Sequence, residues 1–438
     1  MKERFIDKNG KEFNSYQIVG GNELSGIVSP GGSKNATFPI LAASILLDEP
    51  IKLNNVPKIE DVGCFIEILD SLGATITYEE GNSLEIDPRS ISETNVPSHL
   101  GSKIRGSYYL LGALLSRFGK ASIPPPGGCS VGERPMDQHF IALEKMGYEF
   151  QVGETSALGQ KRADWDEKQI IIKLPFPSRG ATINTLLASS LSVGCRTKLI
   201  NYNQSPETQS LIYFLQKAGV KIEILDDRLH ILGTSRASLT DFTIIPDKIE
   251  AVTLLTAGLI TKGDITVKNV IINHLRPFLD KLEQIGFKCV MGEHSVRVNS
   301  VDSDNLQPTD VISGLGPTDI DADFEPILAS LLCTINGDSI IEDQMNPGRH
   351  SQFIPQLNKL GAHIDQISET RALIHGGTVF HSGEARCNEI RGGAALLLAT
   401  LSAKGESVIS NVSQIERGYE KLDQKLVKLG ANITKFGK

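Results

Sequence analysis

The chain has 438 residues, long enough for two or more domains, because a single hydrophobic core stops growing at about 250–300 residues. Apolar residues make up 40% of it and charged residues 22%, which is typical of a soluble globular protein. The net charge of -8 argues against a nucleic-acid-binding protein with a broad basic face. No apolar run approaches the ~20 residues of a membrane span.

The cysteines are spread along the chain without the short spacings of zinc sites or disulfide frameworks. They are Cys64, Cys129, Cys195, Cys289, Cys333 and Cys387. This pattern predicts a reducing, cytoplasmic location. The stretch 1–16 lacks the apolar core of a signal peptide, and we interpret it as a polar extension, either an extra hairpin or a frayed end.

An N-terminal strand, Tyr16 to Val28, is predicted to pair with the end of the chain. The chain then repeats one pattern at intervals of about 70 residues: a helix that ends in a glycine and leads into a strand. Apolar residues at i, i+3, i+4 and i+7 predict each helix, and the final glycine is typical of a left-handed C-cap. The helix-ending glycines are Gly73, Gly147, Gly219, Gly286, Gly361 and Gly430.

A second helix, rich in small and apolar residues, runs through each of the six copies. Its predicted first residues are Lys34, Arg105, Arg179, Lys248, Asp323 and Arg391. A helix N-terminus presents free N–H groups and a positive dipole end, so a basic side chain there adds to an anion site. One such residue would be read as a solvated surface charge, but five at one repeat position predict that the helix openings converge on an anionic ligand.

The predicted fold class is therefore α/β, built from six βαβ-type units in two domains of three. The smoothest boundary falls at Thr243 to Pro246. We expect one domain to comprise residues 1–33 and 246–438, and the other, inserted domain to comprise residues 34–245. A cleft between two such domains is a natural place for an active site that closes.

The stretch Pro124 to His139 begins with three prolines and two glycines, which predict an exposed loop. Cys129 lies at its tip, and Arg134 follows. Loops held by a rigid scaffold often carry reactive groups. From the loop alone, a surface turn with an incidental thiol is an equally good interpretation.

Three motifs together resemble the UDP-N-acetylglucosamine 1-carboxyvinyltransferase family of enolpyruvyl transferases. They are Gly31-Gly32-Ser33-Lys34-Asn35-Ala36, the loop Pro126-Gly127-Gly128-Cys129-Ser130-Val131-Gly132-Glu133-Arg134-Pro135-Met136-Asp137, and Ile415-Glu416-Arg417-Gly418-Tyr419-Glu420. The resemblance covers the chain from about Tyr16 to Lys438. It implies a two-domain inside-out α/β barrel, and transfer of enolpyruvate from phosphoenolpyruvate to the 3-hydroxyl of UDP-N-acetylglucosamine, without a metal or organic cofactor.

The resemblance also implies catalytic roles. Cys129 corresponds to the general acid, and a thiol suits that role because its pKa lies near the working pH and responds to neighbouring cations. Lys34, Arg134 and Arg417 correspond to residues that hold phosphate and developing charge. Each has a plain alternative, an unreactive loop thiol or a solvated cation. The expected partners are phosphoenolpyruvate and a UDP-sugar, with no nucleic acid or membrane, in a monomer or weak homo-oligomer.

Further residues correspond to substrate contacts. Asn35 falls near the reacting hydroxyl, with a first-turn polar residue as its alternative, Arg105 falls on a UDP-sugar contact, and Arg391 on a carboxylate contact. For His139, a hydrogen-bonded structural histidine is at least as good an interpretation as a direct role. The remaining predicted substrate-binding residues are Pro135, Asp137, Gln138, Ser178, Arg179, Met345, Arg349 and Glu389.

Two aspartates compete for the role of general base. The family's Pro-Thr-Asp motif points to Asp319, whereas the repeat register, counted back from Gly337, points to Asp323. With Asp323, Arg349 also falls on the family's carboxylate-binding arginine without a gap, so we prefer Asp323. Its plain alternative is a helix N-cap, for which aspartate is favoured.

Some segments depart from the family pattern at positions that bear on the identity of the acceptor. Phe176 to Arg179 places the positive charge at its fourth position instead of its first, and Asn346 to His350 replaces Glu-Asn-Arg-Phe. Glu389 stands where aspartate is usual. Arg179 is expected to stack on uracil or pair with a diphosphate oxygen. Two alternatives therefore stay open: an enolpyruvyl transferase with another nucleotide or sugar acceptor, and a catalytically silent paralogue.

Overall fold

The computed structural model describes residues 14–128, 136–300, 305–314 and 319–437. Cys129, Arg134 and Pro135 lie outside these residues, so the predictions for them stay predictions. Among the described residues, no helix has the length and apolar character needed to cross a membrane.

The described residues form a mixed α/β structure, which confirms the α/β part of the predicted fold class. The α-helices are α1 (Lys34–Ser44), α2 (Glu60–Ser71), α3 (Ser98–Gly101), α4 (Tyr109–Phe118), α5 (Asp137–Glu144), α6 (Arg179–Ser189), α7 (Pro206–Lys217), α8 (Lys248–Ile260), α9 (Ile272–Ile285), α10 (Glu325–Leu332), α11 (Arg349–Asn358), α12 (Ile390–Ser402), α13 (Ser413–Glu416) and α14 (Leu422–Lys428). Short 3₁₀ helices at Arg105–Tyr108 and Ala322–Phe324 lead directly into α4 and α10.

The strands are short, mostly three to six residues. They are β1 (Ser15–Gly20), β2 (Ser25–Val28), β3 (Ile51–Asn54), β4 (Thr75–Tyr78), β5 (Leu84–Asp87), β6 (Lys120–Ile123), β7 (Tyr148–Val152), β8 (Ala157–Lys161), β9 (Gln169–Lys173), β10 (Arg196–Ile200), β11 (Lys221–Leu225), β12 (Arg228–Leu232), β13 (Asp241–Thr243), β14 (Asp264–Lys268), β15 (Cys289–Met291), β16 (Ser295–Asn299), β17 (Val311–Ser313), β18 (Asp338–Asp343), β19 (His363–Gln366), β20 (Arg371–His375), β21 (Glu384–Arg386), β22 (Gly405–Ser410) and β23 (Asn432–Phe436).

Within the described residues, these strands form six sheets that share one pattern of pairing. In β9-β10-β12-β11, β9 and β10 are parallel and the other neighbours antiparallel. The same order recurs in β13-β3-β5-β4, β2-β14-β16-β15, β17-β18-β20-β19 and β21-β22-β1-β23. The sixth sheet, β6-β8-β7, has three strands, and a single parallel bridge from Asn95 to Ser122 stands in the place of its first strand.

The N-terminal stretch 16–28 is two strands with different partners, not the single strand predicted. β1 pairs with β22 and β23, which confirms its pairing with the end of the chain. β2 instead lies parallel to β14. The predicted polar extension also ends earlier than residue 16, because Tyr16 is buried within β1.

The repeated glycines end their helices as predicted. All six have positive φ angles, between 86° and 109°, which is the left-handed region that favours glycine.

The buried apolar residues form two clusters. One runs from Ala36 to Ile244. The other combines residues of the N-terminal strands, such as Tyr16 and Val28, with residues from Ile249 to Ala431. The chain therefore passes from one core to the other twice, before α1 and before α8.

Candidate functional site

A cavity of about 630 Å³ lies where the two cores meet. The first residues predicted for the second helices all line it: Lys34, Arg105, Arg179, Lys248, Asp323 and Arg391. The predicted convergence of the helix openings is therefore confirmed. Among the described residues, seven lysine and arginine side chains line the cavity against five carboxylates. In a chain of net charge -8, such a lining favours an anionic ligand.

Asp61, which the sequence did not single out, holds two of the predicted phosphate-binding cations together. It lies in the first turn of α2 and is buried. One carboxylate oxygen lies 2.6 Å from Nζ of Lys34, and the other accepts a hydrogen bond of 2.8 Å from Nε of Arg417. Because Arg417 follows α13 in the second core, this pair also joins the two halves of the molecule.

Asp323 bridges two further cations in the same way. Its carboxylate oxygens lie 2.9 Å from Nη2 of Arg349 and 3.2 Å from Nη2 of Arg391. Burial alone would raise its pKa, but these two arginines, with Arg179 beyond them, hold the pKa of Asp323 well below its usual range. The site therefore holds this carboxylate ionised.

Each of the two arginines keeps a spare donor. Nη1 of Arg391 and Nε of Arg349 are buried without a hydrogen-bond acceptor among the described residues. A buried donor without a partner costs free energy, so these groups favour a further anionic acceptor at the same place. Arg391 also lies over the ring of Tyr419, 5.0 Å from the ring centroid, which fixes its direction.

The two candidate bases, Asp319 and Asp323, have different surroundings. Asp319 lines the cavity too, but its carboxylate packs against the backbone of Gly314, where a Cβ atom would lie 2.1 Å from Oδ2. The alternative that Asp323 is a plain N-cap is wrong, because Asp321 caps this turn and accepts a hydrogen bond from the backbone N–H of Asp323. Asp323 is thus left to face the arginines.

Arg179 and Lys248 share two carboxylates that come from different cores. Its Nη2 lies 3.4 Å from Asp321 and 4.0 Å from Glu207, and Nζ of Lys248 lies 2.8 and 3.3 Å from the same two carboxylates. Burial alone would raise the pKa of Asp321, but Lys248 and Arg179 lower it to about 2. The positive charge at position 179 is therefore engaged by carboxylates from both cores, and a ligand has to compete for it.

His139 is held as a neutral ring. Its Nδ1 lies 2.7 Å from Nδ2 of Asn184, whose Oδ1 accepts the backbone N–H of Gly112. The amide N–H₂ therefore donates to Nδ1, which places the ring proton on Nε2. Burial, and then the charge of Arg105, lower the pKa of His139 to about 3. The structural interpretation of this histidine is supported, although it also lines the cavity.

The other predicted residues divide into two groups. Asn35, Ser178, Met345 and Glu389 line the cavity, whereas Asp137 and Gln138 are not among its lining residues. Ser178 caps α6 and Glu389 caps α12, each accepting hydrogen bonds from backbone N–H groups in the helix's first turn. Both caps fix the helix ends from which Arg179 and Arg391 project.

The altered segment 346–350 forms a tight turn that carries Arg349 into the cavity. Asp343, fully buried at the end of β18, accepts hydrogen bonds from the backbone N–H groups of Met345 and Asn346. The same carboxylate lies 3.3 Å from Nη1 of Arg349. Gly348 precedes the helix with a φ of 99°, a conformation that glycine adopts without strain.

Sequence reasoning missed several residues of the site. Lys248 was recognised as a helix opening but not as a site residue, and His274 at the start of α9 carried no signal. The carboxylates Asp61, Asp321 and Glu207 belong to no motif. Buried cations need partners, so a search for acidic residues near each helix opening is the signal that would have found Asp321.

Comparison with known protein families gives matches over almost the whole chain. The profile of the EPSP synthase family (3-phosphoshikimate 1-carboxyvinyltransferase) matches residues 18–426. A UDP-N-acetylglucosamine 1-carboxyvinyltransferase of Kosmotoga olearia is 35% identical over 420 residues, or 96% of this chain and 98% of the relative. One of Campylobacter hominis is 36% identical over 425 residues, with 96% and 98% covered.

Solved structures of other proteins also superpose on almost the whole chain. The enolpyruvyl transferase NikO from Streptomyces tendae superposes with a TM-score of 0.87 at 26% identity, covering 97% of this chain and 99% of the other. The EPSP synthase of Acinetobacter baumannii superposes with a TM-score of 0.73 at 16% identity, covering 97% and 100%, which shows a shared fold.

Proposed function

Because the chain belongs to the EPSP synthase family of enolpyruvyl transferases, we propose that it transfers enolpyruvate from phosphoenolpyruvate to the 3-hydroxyl of UDP-N-acetylglucosamine and releases phosphate. This is a cytoplasmic step of peptidoglycan precursor synthesis. One observation carries the proposal: two pairs of cations line the cavity, and one carboxylate bridges each pair.

The two pairs match the two anionic ends of phosphoenolpyruvate. Lys34 and Arg417, held by Asp61, bind the phosphate together with Arg134. Arg349 and Arg391, with their spare buried donors, bind the carboxylate. Planar arginine forks suit a carboxylate because they form paired hydrogen bonds with it.

The reaction is an addition followed by an elimination. In the addition, the acceptor hydroxyl oxygen forms a bond to C2 of phosphoenolpyruvate, Asp323 takes the hydroxyl proton, and Cys129 donates a proton to the methylene carbon C3. In the elimination, C3 returns a proton to the Cys129 thiolate, the C2=C3 double bond re-forms, and the C2–O bond to phosphate breaks. The products are an enol ether and inorganic phosphate, with no change of oxidation state.

Substrate binding would also raise the pKa of Asp323, the proposed base. In the unliganded site, Arg349 and Arg391 stabilise the ionised form of Asp323, which makes it a weak proton acceptor. A substrate carboxylate that takes over the same guanidinium groups weakens this stabilisation and adds a second negative charge nearby. Both changes raise the pKa of Asp323, so it becomes a better base when phosphoenolpyruvate is bound.

A phosphate-release assay tests the proposal. Phosphoenolpyruvate and UDP-N-acetylglucosamine are mixed with the enzyme, and phosphate is measured with each substrate omitted in turn. We expect release only when both are present. An Arg391→Lys variant keeps the charge but loses the fork, so its KM for phosphoenolpyruvate should rise by ~10-fold or more. Arg371→Lys, at an exposed position of β20, is the matched control and should leave KM unchanged.

A second candidate is transfer to a different nucleotide or sugar. The contacts of Arg179 favour it, because the ion pairs with Asp321 and Glu207 replace the charge arrangement that the family usually presents to the diphosphate. Phosphate release with another acceptor, and none with UDP-N-acetylglucosamine, would support this candidate. No release with any acceptor would support a catalytically silent paralogue.

We also infer that the six sheets with their helices are six copies of one unit, arranged as two inside-out α/β barrels of three units each. The inserted domain would comprise residues 34–245, and the other domain residues 1–33 and 246–438. The common strand order of five of the sheets and the two separate cores support this division.

A further inference from the structure

A cluster of imidazole and carboxylate side chains lies on the outer face of the sheet β17-β18-β20-β19. The strand register determines it, since His375 in β20 is directly opposite His363 in β19 and Asp338 in β18. Directly opposed residues of antiparallel strands share a face, and Asp365 projects from this face too because it follows His363 by two residues. None of these four described residues lines the cavity.

The side chains already lie close to one another. Nε2 of His375 is 3.0 Å from Asp365, and Nδ1 of the same ring is 3.2 Å from Asp338. Nε2 of His363 is 4.0 Å from Asp365, and the two imidazole rings lie 4.3 Å apart. His363, Asp365 and His375 each offer a ligand atom within 4.8 Å of the other two.

We propose that His363, Asp365 and His375 bind a divalent transition-metal ion of the zinc, nickel or copper class. Imidazole nitrogens favour these ions, whereas magnesium and calcium prefer sites made of oxygen atoms alone. With three protein ligands, the remaining coordination positions are filled by water. Such a site lies outside the proposed reaction and does not depend on it.

Asp338 completes the arrangement as an outer carboxylate. When Nε2 of His375 binds the metal ion, Nδ1 carries the ring proton, and this N–H donates a hydrogen bond to Asp338, which is already 3.2 Å away. Metal-binding histidines commonly have their second nitrogen held by such a carboxylate, which fixes the ring and increases its basicity. This contact distinguishes the cluster from a chance meeting of surface side chains.

The competing interpretation is an exposed ion pair, in which a protonated His375 lies between two carboxylates. Exposed pairs of this kind contribute little to stability, because solvent screens the charges. In that arrangement His363 plays little part, because its nearest carboxylate oxygen is 4.0 Å away. Metal binding, by contrast, requires both imidazoles. Substitution of His363 therefore separates the two interpretations.

The metal ion would stabilise the edge of the sheet. β19 is an edge strand, paired only with β20 among the described residues. A metal ion held by His363 and Asp365 on β19 and by His375 on β20 ties this edge to the rest of the sheet. Because the ion binds the folded state, it should raise the melting temperature, and the rise should grow as the free ion concentration exceeds the dissociation constant.

The first test is calorimetric titration of the full-length protein, without an affinity tag, with Zn²⁺ near neutral pH. We expect saturable binding at this site, weakened by ~10-fold or more in His363→Ala and in His375→Ala. His294→Ala is the matched control, because His294 is an exposed histidine with a single carboxylate 3.8 Å away; it should bind as the wild type does. Unchanged binding in His363→Ala would overturn the proposal.

The second test identifies the ligand atoms in the wild-type protein, so it does not depend on the stability of a variant. The electron paramagnetic resonance spectrum of the wild-type protein with Cu²⁺ should show coupling to nitrogen atoms from two imidazoles. Zn²⁺ should also raise the melting temperature of the wild type and of His294→Ala, but not of His363→Ala. A copper spectrum without nitrogen coupling, or equal shifts in all three proteins, would contradict the site.

Discussion

At the scale of single residues, buried carboxylates fix the positions of the cations in the site. The sequence predicted Lys34 and Arg417 from motifs, Arg391 from its repeat position at a helix opening, and Arg349 from its correspondence to the family's carboxylate-binding arginine. It did not predict Asp61, since nothing in the spacing of residues shows which acid the fold brings to a given cation. Paired buried charges depend on three-dimensional contact, whereas motif residues are fixed by local chain order.

The roles of the two aspartates can be separated by substitution. Asp323→Asn should lower kcat by about 10²- to 10⁴-fold, which is the usual contribution of a general base. Asp319→Asn should have a much smaller effect, because Asp319 packs against Gly314, whereas Asp323 lies between Arg349 and Arg391. Steady-state phosphate release by both variants provides the comparison. The opposite ranking would assign the base to Asp319.

Cys129 should be the thiol that reacts with a small epoxide such as fosfomycin. Of the other five, four are buried, and burial raises the pKa of Cys64 and Cys289 to about 11 and that of Cys333 to about 12. Reaction requires the thiolate, so these groups should react slowly. Peptide mass mapping after brief exposure measures the labelling. Equal labelling of all six cysteines would argue against a special role for Cys129.

His139 should make the protein sensitive to mild acid. Its pKa is about 3 in the folded state, against 6.5 for an ordinary histidine, so the unfolded chain binds more protons between these values. The free energy of unfolding therefore falls as the pH is lowered through this window, by up to about 1.4 kcal/mol per pH unit.

The variant His139→Gln isolates this effect, because a glutamine oxygen can still accept from Asn184 but does not titrate. Denaturant unfolding at about pH 7.5 and about pH 5.5 should show that the wild type loses roughly 1 kcal/mol more stability than the variant. Equal losses in the two proteins would mean that the histidine is not held neutral.

At the scale of helices and strands, local signals predicted what local forces determine. The helix-ending glycines and the first residues of α1, α6 and α8 follow from capping and periodicity. The pairing of β2 with β14 could not be predicted in this way, because strands of four residues carry no register signal, and loops of any length can bring them together.

The contact between α4 and α6 is another feature that the sequence did not reveal. Gly112 in α4 faces the backbone of Asn184 in α6, and a Cβ atom there would lie 2.5 Å from the carbonyl oxygen. The substitution Gly112→Ala should therefore destabilise the protein by about 1–3 kcal/mol, although alanine is the better helix former.

A matched control for this prediction is Gly63→Ala in α2, where a Cβ atom would meet nothing within 4 Å. There the gain in helix propensity should act alone and stabilise the protein by about 0.5–1 kcal/mol. Chemical denaturation of both variants measures the two effects. A Gly112→Ala protein as stable as the wild type would show that α4 and α6 pack less closely than a 2.5 Å approach implies.

At the scale of the whole molecule, the repeat pattern allowed the α/β class and the convergence of six helix openings to be predicted. The boundary proposed near Pro246 is supported by the passage from one apolar cluster to the other between Ile244 and Ile249. The ion pair of Asp61 with Arg417, which joins the halves, was beyond sequence reasoning, since its partners lie 356 residues apart.

The most direct test of the proposed function is the identity of the product. Phosphoenolpyruvate labelled with carbon-13 at C2 and C3 is incubated with UDP-N-acetylglucosamine and the enzyme, and the mixture is followed by nuclear magnetic resonance. We predict that the phosphoenolpyruvate signals are replaced by those of an enol ether coupled to the sugar's C3 position, with one phosphate released per molecule formed. A spectrum in which phosphoenolpyruvate stays unchanged, or in which the enolpyruvyl group appears on a different position, would contradict the proposal.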